Sequence, residues 1–362
     1  MTSNRRVLRS SSIAPASSEP KASPVPVPVS TPITFHPATS PPPQDAILIH
    51  APTSTLPHLT PSELKLLRKK QSQLRLTSTS PSTPLTRTAL NATLIFAQHE
   101  AGTAVLIHAS GWALTCAHCF GDTAAEYNAG PKRRWMLFYT GDAVLVECRA
   151  WDPFRDLALL RIVGVEADVL VRAGRDLGAG VGGGGQKMPT PTPTFHAVKL
   201  HTGTLRPATR ILCIGQPGRD DLESANADGT RKKTPYALVE VSQGAYRGMV
   251  PGVDAQDNRE MGTLMHDAWT YWGHSGAPLV REVDGALVGL HSSWDEGTGM
   301  RHGVPAVAVG EFLGRHLPAG GMTKGTAIDV DAFLLVATPK ANLLVKWLQN
   351  LYKRHLKGSQ EI

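Results

Sequence analysis

The feature that most constrains the fold of this chain is a succession of short, β-rich apolar runs with almost no helical periodicity between them. They are ATLIFA (92–97), TAVLIH (103–108), WALT (112–115), RWMLFY (134–139), AVLVEC (143–148) and DLALLRI (156–162). After a loop come RILCIG (210–215), YALVEVSQG (236–244), APLV (277–280), GALVGLH (285–291) and VPAVAV (304–309). Gly, Pro and Asp turns separate them. Many short strands at close spacing predict an all-β sandwich or a pair of barrels.

Ahead of the first run the texture is different. Fifteen of the 28 prolines lie in the first 90 residues, with much of the Ser and Thr and few large apolar residues outside Ala46–Ile49. Such a stretch buries too little apolar surface to offset the entropy of ordering it, so residues 1–88 are expected to be a disordered tail. Residues 1–90 carry ten Lys/Arg against three acids, so the whole formal charge of +7 sits there. That excess suits a weak anionic partner, through salt-sensitive attraction, as well as a solvated linker.

The first residues, MTSNRRVLRSSS, have the Arg- and Ser-rich, acid-free composition of a mitochondrial transit peptide. No secretory apolar region and no run of about 18 apolar residues is present, so neither secretion nor a transmembrane span is expected. Four cysteines (Cys116, Cys119, Cys148, Cys213) are too sparse for a disulfide framework. An intracellular compartment follows as the expectation, cytoplasm or nucleus, with the mitochondrion as the alternative.

Within the tail, Thr60-Pro61-Ser62-Glu63 supplies an N-cap, a proline at N1 and a glutamate at N3. This predicts a helix over 61–75, docked or isolated. The Gly/Pro-rich stretch GAGVGGGGQKMPTPTPTFH (178–196) lacks the GK[ST] ending of a phosphate loop and reads as a linker or insertion. Arg219–Pro235 reads as a second insertion. A C-terminal extension over 318–362 is expected to be helical, with Leu343, Leu344, Trp347, Leu348 and Leu351 on one face.

Three motifs then occur in order. Gly111-Trp-Ala-Leu-Thr-Cys-Ala-His118-Cys119 is a β-run ending in a turn that presents a histidine. Asp156-Leu-Ala-Leu-Leu-Arg-Ile162 is an acid opening a strand. Gly273-His274-Ser275-Gly276-Ala277-Pro278-Leu279-Val280 is a serine flanked by glycines and followed by a strand. A serine hydroxyl is inert until a base removes its proton, and the base needs a carboxylate to fix its tautomer. Gly273 lets the backbone curl so that its N–H and that of Ser275 point at one oxyanion. Each element alone is weak, but their order and local context together point to acyl transfer with His118, Asp156 and Ser275. That chemistry calls for no cofactor and no metal.

TCAHC resembles the TAAHC of trypsin-like serine proteases, DLALLRI their acid-bearing strand and GHSGAPL their GNSGGPL. ILCIGQPG (211–218), HDAW (266–269) and VGLH with VPAVAVGEFL are most similar to the Deg/high-temperature-requirement branch and to bacterial glutamyl endopeptidases. The resemblance covers about residues 90–317. It implies a chymotrypsin-like fold of two antiparallel six-stranded barrels, the first about 89–175 and the second about 198–317, joined by a linker of about 176–197. It implies a serine endopeptidase acting on a protein or peptide substrate, with the site between the barrels.

His274 replaces the aspartate that precedes the serine in secreted trypsins, so activation by a freed N-terminal amine is not expected. Thr270 and His291 stand where glutamyl endopeptidases and picornavirus cysteine proteases hold a P1 Glu or Gln; His291 also reads as a core histidine.

Three other readings compete. An α/β-hydrolase would need a helix after Ser275, where Pro278 and a strand follow. A zinc site at Cys116–Cys119 lacks a complementary ligand pair nearby. A catalytically inactive, protease-like binding module remains the alternative from another functional class.

Overall fold

The computed structural model describes residues 47–51, 55–77, 84–98, 102–166, 194–218, 223–225, 231–233 and 237–317. The helical extension expected over 318–362, most of the linker and the first 46 residues lie outside them. Among the described residues no helix is long and apolar enough to cross a membrane.

Two closed six-stranded antiparallel barrels form the body of the protein. The first comprises β2 (Thr93–Phe96), β3 (Thr103–His108), β4 (Trp112–Thr115), β5 (Arg133–Phe138), β6 (Ala143–Asp152) and β7 (Leu157–Glu166). They run in the order β7-β4-β3-β2-β5-β6, and β6 pairs back onto β7 to close the sheet. The second comprises β8 (Arg210–Gly215), β11 (Glu240–Met249), β12 (Leu264–His266), β13 (Pro278–Arg281), β14 (Leu287–Trp294) and β15 (Arg301–Pro305), closed in the order β11-β12-β15-β14-β13-β8. A short hairpin, β9 (Glu223–Ala225) with β10 (Arg231–Lys233), stands inside the stretch read as an insertion. Closure leaves neither barrel with a bare sheet edge.

The strands of the first barrel are apolar on both faces, and period-two alternation divides them between two clusters. Leu94, Phe96, Met136, Val144, Val146 and Ile162 belong to the main core. Their neighbours Ile95, Trp135, Leu137, Leu145 and Val163 face outward into a second cluster with Leu56, Leu67 and Leu74.

Leu67 and Leu74 lie on the helix expected over 61–75, in its docked form, while Leu56 belongs to the stretch expected to be disordered, an expectation corrected there. Strand β1 (Leu48–His50) pairs in parallel with β7, and α1 (Pro61–Thr77) covers the outward face. A reciprocal cap opens α1: Thr60 N–H donates to Glu63 Oε2 at 2.7 Å and Glu63 N–H to Thr60 Oγ1 at 3.3 Å. Its inner face is anchored where Arg68 Nη1 (2.5 Å) and Gln71 Nε2 (2.6 Å) donate to the buried Glu166 at the end of β7. Each buried leucine contributes about 1.5–3 kcal/mol, enough to hold a polar segment against a barrel wall that would otherwise face water. A second helix, α2 (Pro84–Ala92), leads directly into β2.

VPAVAV was expected to be a strand, but the strand stops at Pro305 and α4 (Ala306–His316) begins there, following α3 (Ala124–Ala129) among the described helices. Pro305 supplies an extended N-cap (ψ 156°). Ala308, Val309, Phe312 and Leu313 recur at helical spacing and are buried, so the helical face outweighs the local β-propensity of two valines.

The barrels are joined by backbone hydrogen bonds. Phe195 and Val198 N–H groups donate to Ala109 and Leu106 O at 2.9 Å, Leu287 N–H donates to Lys199 O at 2.7 Å, and Asn258 N–H donates to Phe154 O at 3.0 Å.

Candidate active site

Beta-strand β4 ends at Thr115, and a single 3₁₀ turn, Ala117–Cys119, presents His118 half-buried at the barrel junction. The turn is fixed from behind, where Trp151 Nε1–H donates to Ala117 O at 3.0 Å. Asp156 stands between β6 and β7 with φ +51°, a left-handed conformation that aspartate tolerates better than most residues and that recurs at functional sites. An Asx turn sets it up: Asp152 Oδ1 accepts from Phe154 N–H (3.0 Å) and Arg155 N–H (3.1 Å).

Four contacts converge on the Asp156 carboxylate. His118 Nδ1 lies 2.9 Å from Oδ1 and 3.0 Å from Oδ2, and the His118 backbone N–H donates to Oδ1 at 3.1 Å. From the second barrel, Ser292 Oγ donates to Oδ2 at 2.7 Å. Burial alone would raise this carboxyl, but the His118 charge and the hydrogen bonds from His118 and Ser292 outweigh it and hold it below the usual range.

Ser275 is half-buried on the loop between β12 and β13. Tight turns shape that loop: His274 N–H donates to Tyr271 O (3.1 Å) and Ala277 N–H to His274 O (2.7 Å), with Gly273 at φ +99° and Gly276 at φ +80°. It is stitched to the first barrel, since Thr103 N–H donates to Ser275 O at 2.9 Å and Thr103 Oγ1 to Gly273 O at 3.1 Å. The Cys119 thiol, next to His118, lies 3.8 Å from Ser275 O. Gly276 N–H donates to His291 O at 2.8 Å, which lays β14 beside the serine. Among the described residues, neither the Gly273 nor the Ser275 N–H has a hydrogen-bond acceptor within the chain.

His118, Asp156, Gly273, Ser275 and His291 are thus gathered at one junction. Ser292 had no sequence signal beyond following His291 in VGLHSSW.

His274 is buried with its ring against Gly215, where a Cβ would lie 2.5 Å from Cδ2, and burial lowers its pKa to about 4. A neutral ring therefore wedges the serine loop.

His291 is also buried. Burial first, then His266, His274, His118 and Arg301, hold it well below its ordinary pKa. Its Nδ1 lies 3.1 Å from Nε2 of His266, a residue that sequence reasoning missed as part of a pair. Burial, with Arg301 and His302, lowers His266 to about 3. Thr270 is buried, and its Oγ1 has no hydrogen-bond partner among the described residues. Around this region Trp269 and Trp272 are exposed, Trp272 meets Trp294 edge-on at 5.8 Å, and the Arg301 guanidinium lies 4.2 Å over Trp269.

Cys116 Sγ, a ring nitrogen of His118 and an Asp156 oxygen lie within 4.8 Å of one another, the one set of potential metal-ligand atoms among the described residues. Burial first, then Asp156, raise the Cys116 thiol well above its ordinary pKa, and the thiol donates to His291 O at 3.3 Å. A protonated, buried thiol and an acid already bonded to the histidine make a poor metal site.

Residues 102–290, more than half of the chain, match the family model of the trypsin-like peptidase domain. The chain belongs to the trypsin-like peptidases. No curated protein matches this peptidase. Among solved structures it is similar to a mutant, inactive form of Rv3671c from M. tuberculosis H37Rv, with 13% identity and a TM-score of 0.41, over 67% of this chain and 98% of that one.

Proposed function

We propose that this trypsin-like peptidase is a serine endopeptidase that acts through an acyl-enzyme on Ser275. The carrying observation is the pair of contacts from Asp156 to His118 Nδ1 at 2.9 and 3.0 Å. A carboxylate accepts only, so Nδ1 carries the proton and Nε2 is left as the base.

Ser275 Oγ attacks the scissile carbonyl carbon while its proton passes to His118 Nε2. The carbonyl oxygen becomes an oxyanion, for which the uncommitted N–H groups of Gly273 and Ser275 are the donors. The imidazolium, stabilised by Asp156, gives its proton to the leaving amine as the C–N bond breaks. A water then attacks the ester, its proton goes to His118, and collapse releases the acid and regenerates Ser275. Ser292 holds Asp156 in place throughout.

For specificity we propose that His291 and Thr270 receive a P1 Glu or Gln. His266 Nδ1 has no partner, and a buried orphan acceptor costs less than a buried orphan N–H. His266 therefore carries its proton on Nε2 and donates it to His291 Nδ1, which leaves His291 with Nε2–H as a neutral donor. Such a donor, with an unpartnered Thr270 hydroxyl, suits either the carboxylate or the amide oxygen of P1.

Four free thiols, three of them buried, support a reducing intracellular compartment, cytoplasm or nucleus with the mitochondrion as the alternative. The basic excess of residues 1–90 is read as giving weak affinity for anions.

A peptide-library cleavage profile tests both parts. Cleavage after Glu or Gln that disappears in Ser275→Ala is the expected result. An unbiased or basic P1 overturns the Thr270/His291 assignment, and cleavage that survives Ser275→Ala overturns the mechanism.

A further inference from the structure

One buried lysine lies outside the chemistry described above, and burial lowers its pKa to about 7. Lys70, on the inner face of α1, is only 7% exposed, yet no carboxylate contacts it among the described residues. Its ammonium instead has three uncharged acceptors. Nζ donates to Phe96 O at 2.7 Å and Gln98 O at 3.1 Å, both at the end of β2. The third is Gln216, just past β8 in the second barrel. With its amide turned so that neither end faces its own kind, Oε1 accepts from Nζ at 2.9 Å and Nε2 donates to Gly102 O at 3.2 Å.

The chain of bonds continues to the serine loop. Gln216 N–H donates to Thr103 Oγ1 at 3.1 Å. That hydroxyl donates to Gly273 O at 3.1 Å, and Thr103 N–H donates to Ser275 O at 2.9 Å. The two residues whose N–H groups serve as oxyanion donors are therefore held, through Thr103 and Gln216, by an ammonium delivered from outside both barrels. Packing of α1 could have been secured by leucines alone. Burying a lysine there costs desolvation that a leucine would not, and its three donors meet the three acceptors at the seam.

We propose that α1 is an intramolecular activation element whose Lys70 is a positioning residue for the Gly273–Ser275 loop, locking the end of β2 to Gln216 and through it to Thr103. The inference rests on the reading of Ser275 as nucleophile and adds a role for the N-terminal segment, exerted through the Nζ bonds of Lys70 alone. Removal or displacement of α1 would leave two intact barrels with a slack serine loop.

The test uses the full chain with Lys70→Met, Gln216→Leu and the double variant, plus Leu67→Ala, which weakens the same helix without touching the bonds. Four readouts are taken on folded protein: kcat, KM, the rate of fluorophosphonate labelling, and amide hydrogen exchange at 273–277. Lys70→Met and Gln216→Leu are expected each to lower kcat and labelling on the order of 10- to 100-fold with KM little changed. They should also speed exchange at 273–277, and the double variant should be no worse than the worse single one. Leu67→Ala should lower the unfolding temperature and leave kcat unchanged below it.

Wild-type kcat, labelling and exchange in folded Lys70→Met overturn the inference, as do additive losses in the double variant or an equal kcat loss in Leu67→Ala. If Lys70→Met does not fold, Gln216→Leu decides the matter, because it leaves the two bonds to β2. If the wild type itself is never labelled, the reading of Ser275 fails, and the exchange comparison still decides whether Lys70 holds the loop.

Discussion

Replacing Gly276 by alanine separates two costs that the structure makes distinct. Gly276 follows the nucleophile at φ +80°, and a Cβ placed there would lie 2.2 Å from Thr103 O, 2.3 Å from Thr115 Oγ1 and 3.1 Å from Cys116 N. These neighbours cannot easily yield. Thr115 Oγ1 donates to Thr103 O at 2.7 Å, and Thr103 N–H is bonded to Ser275 O. The left-handed backbone alone costs a non-glycine residue roughly 1–2 kcal/mol, and forcing a methyl into a packed seam adds roughly 1–3 kcal/mol. Gly252 supplies the control, with φ +74° and nothing within 4 Å of its Cβ position. Equilibrium urea unfolding should therefore show Gly276→Ala destabilised by about 2–5 kcal/mol and Gly252→Ala by about 1–2 kcal/mol. Labelling of Ser275 should be impaired only in Gly276→Ala. Equal destabilisation of the two variants would refute the claim that the serine loop is clamped against Thr103.

Other outcomes follow from the same geometry. Ser292→Ala removes one of the donors to a buried carboxylate and should cost about 1.5–3 kcal/mol of stability and about tenfold in kcat, read by denaturation and steady-state rates. Asp156→Asn presents an amide to His118 Nδ1, so the wrong tautomer is favoured and kcat should fall on the order of 10³- to 10⁴-fold.

His266, His274 and His291 all have folded pKa values below the ordinary 6.5, at about 3 for His266 and about 4 for His274. The unfolded chain therefore binds these protons first. Stability is intact above about pH 6.5 and is lost progressively as pH falls toward 4, by up to about 1.4 kcal/mol per pH unit for each histidine. Unfolding midpoints measured between pH 7 and 4.5 should follow that slope, and His266→Gln should flatten it.

Much of the fold was legible because the strands are short β-rich apolar runs at close spacing, and the turns between them are chemically marked. What was missed lies where tertiary coverage decides. Residues 47–77 read as a tail on composition, yet RWMLFY and AVLVEC are apolar at both odd and even positions, which already implied that the outer wall of the first barrel was covered. VPAVAV was misread because two valines favour a strand locally, while the longer register to Phe312 and Leu313 favours a helix. In the site, TCAHC and GHSGAPL carry distinctive local chemistry and were readable. Ser292, His266 and Lys70 act across large sequence separations, and nothing in their flanking residues announces it. The segment 167–193 and residues past 317 lie outside the described part of the chain.

The most direct measurement is fluorophosphonate labelling of the full-length, folded protein with the modified residue mapped by mass spectrometry. The expected result is a single adduct on Ser275 that grows in at neutral pH and is abolished by Ser275→Ala and by His118→Ala. A folded protein that stays unlabelled between pH 6 and 9, or an adduct on any other serine, would contradict the assignment of Ser275 as an activated nucleophile.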